Sequence, residues 1–283
     1  MTFPTVLATA AQVNDWRNES LSPIAAVLTM GALHDGHAQL VTYAKSHSPE
    51  GTRVIATIFV NPTQFNNSTD LEKYPRTLED DLEILAGVGV DAVFIPSILE
   101  IYPDGLSISS PIDPGPVGEI LEGKSRPGHF LGMLTVVHRL LEITHANYSF
   151  FGEKDFQQLT LVRAMIKELA LPIEIIGVPT VRDEFGLALS SRNRRLSAMA
   201  LTAARKIPIA MKVVSDAFKE GMEKTEAEDL GKKYLLENKL TNLDYLEICA
   251  ENLIDLPNAS NARVFIALNI DGVRLIDNLK VSN

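Results

Sequence analysis

The sequence predicts an α/β protein: a parallel sheet with helices on both faces, followed by a smaller C-terminal α+β domain. Three observations carry this. Five short apolar runs, at 24–28, 54–60, 92–95, 148–151 and 173–178, each have strand length and end in turn-forming or polar residues. Apolar side chains recur at helical spacing between them, as in Leu40, Val41 and Ala44, in Leu78, Leu82 and Leu85, and in Phe130, Leu134, Val137 and Leu141. The last hundred residues change rhythm.

Strands alternating with helices pair in parallel, and a parallel sheet needs cover on both faces, so residues 1–180 read as a Rossmann-like domain. Residues 102–128 hold five prolines and five glycines, which predicts a long irregular loop. In residues 181–283, helical stretches near 198–220 and 225–238 precede short strands joined at Asp271-Gly272, a hairpin signal.

With 36 acidic and 26 basic residues the net charge is −10. Residues 1–180 hold 21 acidic and 11 basic side chains, which argues against nucleic acid as a partner, since that needs a basic stripe. A small anion remains possible, because a few local cations and helix ends suffice to hold it. A lone cysteine, Cys249, excludes an intramolecular disulfide framework and Cys-based zinc clusters, so a cytoplasmic setting is expected. No stretch approaches the roughly 18 uninterrupted apolar residues of a spanning helix.

Ligands of open parallel sheets bind beyond the carboxyl ends of the strands, so residues just after each run are the candidates for chemistry. After the first comes Thr29-Met30-Gly31-Ala32-Leu33-His34-Asp35-Gly36-His37, a glycine-bearing turn opening onto a helix. Its two histidines share one side of the first helical turn, where backbone N–H groups and the helix dipole favour phosphate. The spacing could also chelate a metal, but zinc takes three or more protein ligands and no further ligand sits at a fitting spacing. A capped helix with solvated histidines is the bland alternative.

After the second run, Asn61-Pro62-Thr63-Gln64-Phe65 leaves two amides at a strand tip, which suit a neutral polar substrate group or form a simple turn. Thr77 is the expected N-cap of the next helix, where Asp81 flanks the apolar face and Asp80 points away. After the fourth run come Phe151-Gly152-Glu153-Lys154-Asp155 and Gln157-Gln158. A lysine at a helix start opposes the dipole, so a bound anion would explain it; a surface ion pair is the competing account. After the fifth run, Val181 and Arg182 lead to Leu189-Ser190-Ser191-Arg192-Asn193, a mobile-looking loop able to close on phosphates. Arg126 and His129 add cationic and imidazole groups in the long loop, while His47, His138 and His145 read as structural.

Together the segments 29–37, 59–65, 151–158 and 187–193, with Tyr74-Pro75-Arg76-Thr77 and Leu275-Ile276-Asp277-Asn278, resemble the pantoate–β-alanine ligase family of coenzyme A biosynthesis. The His-x-Gly-His element alone is a trait of a wider nucleotidyltransferase superfamily. The resemblance implies that ATP and (R)-pantoate form pantoyl adenylate and pyrophosphate, and that β-alanine then releases AMP and pantothenate. It implies an ATP site of Met30, Gly31, Ala32, Leu33, His34, Asp35, Gly36 and His37, with Gly152, Glu153, Lys154, Asp155, Val181, Leu189, Ser190, Ser191 and Arg192. His34, His37, Lys154, Ser190, Ser191 and Arg192 would be catalytic, with His37 a proton donor. Gln64 and Gln158 would bind pantoate, and Asn61, Arg126 and His129 join that substrate site. Mg²⁺ is expected with ATP, near Asp80 or Asp81, in a homodimer whose domain 181–283 acts as a lid. A nucleotidyltransferase that stops after nucleotidyl transfer and a non-catalytic nucleotide sensor are the alternatives.

Overall fold

The computed structural model describes residues 3–65, 71–106, 108 and 110–281. It divides into two compact units: Met1–Glu153 with Gln158–Pro179, and Lys154–Gln157 with Thr180–Asn283.

In the first unit, β1 (Thr5–Leu7), β2 (Ile24–Thr29), β3 (Arg53–Ile58), β4 (Ala92–Phe94), β5 (Tyr148–Gly152) and β6 (Glu174–Val178) form a parallel sheet in the order β1-β4-β3-β2-β5-β6. The five predicted runs are β2 to β6, displaced by at most two residues at either end. β1, an edge strand, has no counterpart in the sequence reading because Thr5 and Val6 are exposed and the segment shows no apolar run, unlike the equally short but fully buried β4. It pairs along β4, with Thr5 opposite Ala92 and Leu7 opposite Phe94.

Helices α1 (Ala10–Asn18), α2 (Asp35–His47), α3 (Leu78–Gly87), α4 (Ile98–Ile101), α5 (Leu121–Ser125), α6 (His129–Thr144) and α7 (Phe156–Glu168) separate these strands. On one face Ala25, Val27, Val54, Ala56, Val93 and Phe150 form a core with Val41 and Ala44 of α2 and Leu85 of α3. On the other, Ile24, Ala26, Ile55 and Phe94 are buried, and α6 lies against β2. Because both faces are covered, β2 and β3 read as continuous apolar runs instead of alternating.

Residues 102–128 are more regular than their composition predicts, containing a 3-10 turn at Gly115–Gly118 and the short helix α5. Their glycines permit the difference: a Cβ on Gly123 would sit 1.8 Å from the Gly118 carbonyl oxygen. Gly132, on α6, allows a similar approach, its missing Cβ leaving room for the Thr63 carbonyl.

The sheet order reverses between β2 and β5. The carboxyl ends at this switch point carry Met30 and Glu153.

The second unit holds α8 (Ala198–Ala204), α9 (Ile207–Lys219), α10 (Lys224–Glu237) and an antiparallel sheet of β7 (Leu243–Ala250), β8 (Ala262–Ile270) and β9 (Val273–Lys280). Asp271 and Gly272 both have positive φ and join β8 to β9, closing the predicted hairpin with Ile270 opposite Val273. Its core includes Met211, Val214, Leu235, Leu246, Val264 and Ile266. Among the described residues no helix is long and apolar enough to cross a membrane.

Candidate active site

At the end of β2 the chain makes a left-handed turn through Gly31 (φ 78°) and Ala32 (φ 51°). Two such residues in succession aim backbone N–H groups into a concavity that attracts anions. The anion is the protein's own. Asp81, 1% exposed, accepts from Ala32 N at 2.9 Å and Leu33 N at 2.7 Å, and the Thr77 hydroxyl donates to it at 3.1 Å. A Cβ on Gly31 would meet Asp81 Oδ2 at 3.0 Å, so this position needs glycine for space as well as for φ. Gly31 N is held separately by the Thr29 hydroxyl, 3.2 Å away.

This arrangement corrects three expectations. Ala32 and Leu33 are fully buried, with amides committed to Asp81, so they support the turn from beneath. Asp81 braces that loop and is not placed to meet a metal, while Asp80 is exposed. Thr77 occupies the N-cap position of α3 but makes no capping bond, because its hydroxyl serves Asp81.

Asp81 thereby sets the start of α2, where His34 is the N-cap residue. Its Nδ1 accepts from Gly36 N at 3.0 Å, and His37 Nδ1 accepts from His34 N at 3.3 Å. The two imidazoles do reciprocally what Ser and Glu do in a common capping box. An imidazole nitrogen that accepts an N–H bond carries no proton, so each neutral ring places its hydrogen on Nε2. The half-buried rings lie 4.2 Å apart, tilted by 48°.

At the end of β3, Asn61 is 1% exposed and turned inward. Its Oδ1 accepts from the Tyr102 hydroxyl at 2.6 Å and the Thr63 hydroxyl at 3.1 Å; its Nδ2 donates to Gln64 Oε1 and Gly132 O, both at 3.2 Å. The Asn61 amide thus bonds at both ends within the protein and braces this turn. It orients the Gln64 amide, whose Nε2 donates to Met30 Sδ at 2.8 Å. Tyr102, which the sequence reading passed over, anchors this relay; its only sequence signal is a hydroxyl-bearing aromatic before a proline. Burial pushes the Tyr102 pKa up from 10.0, with the hydrogen bonds to Thr63 and Asn61 pulling the other way.

Arg126 and His129 converge on the backbone of Gln64 and are corrected in the same sense. His129 Nδ1 donates to Gln64 O at 3.0 Å, and Arg126 reaches that carbonyl at 3.1 Å and His129 Nε2 at 3.2 Å. Glu122, also buried, pairs with Arg126 at 3.4 Å. At the end of β5, Gly152 and Glu153 are half-buried, as is Gln158.

The remaining candidates belong to the second unit. Lys154 pairs with Asp155 at 3.6 Å, the ion pair that the sequence offers as one account of this lysine. Val181 O accepts from Leu189 N at 2.9 Å, and Asp183 Oδ1 holds Phe185 N and Leu187 N, so the segment is a hydrogen-bonded turn instead of an irregular loop. Ser190 caps the 3-10 helix Ser191–Arg195 through Arg192 N; Ser191 is buried and Arg192 half-buried. Asp277 and Asn278 of β9 are buried beside these groups. Arg182 forks onto Asp277 at 2.6 and 3.0 Å. Burial pushes the Asp277 pKa up, opposed chiefly by Arg182. The signal for both is an Asp-Asn pair flanked by the apolar Leu275, Ile276 and Leu279 of β9.

Among the described residues no group of three His, Cys, Asp or Glu side chains could hold a metal. With Asp81 committed to amides, these carboxylates do not form a protein cage for Mg²⁺.

Fold and topology define an α/β protein with a parallel sheet whose order reverses between β2 and β5, where Met30 and Glu153 follow the strands. The particular family follows from comparison with known proteins: residues 2–280 match the family model described as pantoate-beta-alanine ligase, and the chain belongs to that family. Membership makes it a ligase. Pantothenate synthetase of Cereibacter sphaeroides is 45% identical over 286 residues, 99% of this chain and 100% of the relative. Among solved structures, pantothenate synthetase of Thermus thermophilus superposes with a TM-score of 0.88 at 38% identity, covering 99% of this chain and 100% of that one. Pantoate-beta-alanine ligase of Francisella tularensis, complexed with beta-gamma ATP and β-alanine, gives 0.83 at 39% identity, covering 98% of each.

Replacing Asp81 by Asn turns an NH₂ group toward Ala32 or Leu33 N–H. An unsatisfied buried donor costs about 1–3 kcal/mol, so the urea midpoint should fall by that equivalent; an unchanged midpoint would remove the brace. Tyr102 predicts a pH effect. Its folded pKa is raised, so its contribution is full below pH 10.0 and is lost as pH rises through the folded value. The melting-temperature advantage of the wild type over Tyr102→Phe should shrink as pH rises from about 9 to about 11, and a constant advantage would contradict this.

Proposed function

We propose that the chain condenses (R)-pantoate with β-alanine in two ATP-dependent steps. The pantoate carboxylate attacks the α-phosphorus of ATP, displacing pyrophosphate. The β-alanine amine then attacks the acyl carbon of pantoyl adenylate, releasing AMP and pantothenate. The observation that carries this reading is the imidazole pair at the start of α2, whose Nδ1 atoms are engaged by backbone N–H groups so that Nε2 carries the proton. Donors fixed this way stabilise charge developing on phosphate oxygens without reorganising.

In this reading His34 and His37 contact the phosphates, with His37 the proton donor. Lys154, Ser190, Ser191 and Arg192 hold the phosphate chain, and Met30, Gly31, Asp35, Gly36, Gly152, Glu153, Asp155, Val181 and Leu189 line the nucleotide. Gln64 and Gln158 receive pantoate, an assignment supported by the relay from Tyr102 through Asn61 that orients the Gln64 amide. Arg126 and His129 act on substrate through the Gln64 backbone. Mg²⁺ enters with ATP, held by phosphate oxygens and water, Asp80 being the exposed carboxylate of the Asp80–Asp81 pair. Residues 1–180 form the ATP- and pantoate-binding domain and 181–283 a lid, in a cytoplasmic homodimer that sedimentation would test.

The deciding assay is release of pyrophosphate and AMP from Mg·ATP with pantoate alone, then with pantoate and β-alanine. Sustained AMP and pantothenate formation only with both substrates supports the ligase; pantoate-independent turnover, or binding of ATP without turnover, opposes it. His34→Asn keeps an N-capping side chain but lacks Nε2–H, and should slow adenylation by about 10²–10³ while leaving pantoate affinity nearly unchanged. An unaltered single-turnover rate would take His34 out of the mechanism. Gln158→Ala should weaken pantoate binding and spare ATP binding, as read by calorimetric titration; the reverse pattern would reassign Gln158.

A further inference from the structure

Lys154 and the segment leading to Ser190, Ser191 and Arg192 are far apart in sequence, and the second unit joins both to one dipeptide of β9. Asn278 Nδ2 donates to Lys154 O at 2.8 Å. Its Oδ1 accepts from Arg263 NH1, which fixes the amide so that the NH₂ faces Lys154. The Arg263 guanidinium lies 3.8 Å over the Phe156 ring, two residues beyond Lys154, and Phe156 also meets Phe265 of β8. A hydrogen bond and an aromatic contact cluster thus hold residues Lys154–Gln157 to β8 and β9.

The other half of the dipeptide holds the turn. Arg182 forks onto Asp277, reaches Asn278 O at 3.0 Å and donates to Gly186 O at 2.9 Å. Asp277 Oδ1 also accepts from Asn278 N at 2.7 Å, which ties the carboxylate to the next residue's backbone. Arg182 pairs with Ala188 across an isolated bridge, and Leu189 N bonds to Val181 O, so the position of Arg182 sets where Ser190 begins its cap. Burying this many polar groups is costly unless every one is satisfied in a single geometry.

We propose that Asp277 and Asn278 are positioning residues, fixing Lys154 and the Ser190-Ser191-Arg192 turn in one arrangement for the phosphate chain of ATP. This rests on the assignment of those residues to ATP. Neither Asp277 nor Asn278 is required to touch substrate: Asn278 acts through the Lys154 backbone it holds, and Asp277 through the Arg182 guanidinium that anchors the turn. A displacement of about 1 Å in such groups costs up to about 100-fold in rate.

The test is a double-mutant cycle on pantoyl adenylate formation, measured as pyrophosphate release in single turnovers. Asn278→Asp keeps the oxygen that Arg263 needs but replaces the donor to Lys154 with a second oxygen. It should lower the adenylation rate by roughly 10- to 100-fold. In a Lys154→Ala background the same change should have almost no further effect, because the group it positions is gone. Additive losses in the two backgrounds would overturn the proposal, marking Asn278 as a general stability residue. A silent Lys154→Ala would instead sink the assignment of Lys154 to ATP, and the positioning role with it. If Asn278→Asp fails to fold by melting, Asn278→Ser carried through the same cycle separates coupled from additive losses in the same way.

Discussion

The site is built outward from one buried carboxylate. Asp81 takes the N–H groups of Ala32 and Leu33 and so stabilises a left-handed bend that alanine would otherwise avoid, a conformation costing about 1–2 kcal/mol. That bend delivers the chain to α2 with His34 at the N-cap position. The amides of Ala32 and Leu33, which a bare turn would leave open, are taken up internally by Asp81. The dipole of α2 is handed on through Nδ1 to a side chain that can also move a proton, which backbone amides cannot do.

The same pattern recurs at β3. Asn61 commits its whole amide to Tyr102, Thr63, Gln64 and Gly132, and Arg126 and His129 both donate to the Gln64 carbonyl. A glutamine side chain has several rotamers; the Asn61 bond to Gln64 Oε1 restricts them, while the bonds to the Gln64 backbone carbonyl fix where that side chain starts. The glycine at 132 belongs to this arrangement, since it lets α6 approach the Thr63 backbone closely enough for Asn61 to bond to it.

The fold was legible in the sequence because the sheet is parallel and covered: β2 to β6 are continuous apolar runs, and periodic helices lie between them. The hairpin at Asp271-Gly272 was legible from turn chemistry alone. β1 was not, being an edge strand with two of its three residues exposed, and the glycines of 102–128, read as breakers, instead allow backbone to pass against backbone. In the site, the residue types and their places after the strands could be read, and the helical wheel placed Asp81 correctly at the buried side. What could not be read was partnership: the tertiary fold alone brings Asp81 to the amides of Ala32 and Leu33 and turns Asn61 toward Tyr102 and Gly132. Tyr102, Asp277 and Asn278 were missed as supports because each acts on a residue distant in sequence.

The assignment of Lys154–Gln157 to the second unit has a consequence for how this chain could have been assembled. The polypeptide passes between the units three times, after Glu153, after Gln157 and after Pro179, so no single cut separates them. A fragment ending at Pro179 would carry four residues whose bonding partner, β9, it lacks. Exchange of the C-terminal hundred residues between relatives must therefore preserve a match with a short insert embedded in the other half. The two halves are heritable only as a pair.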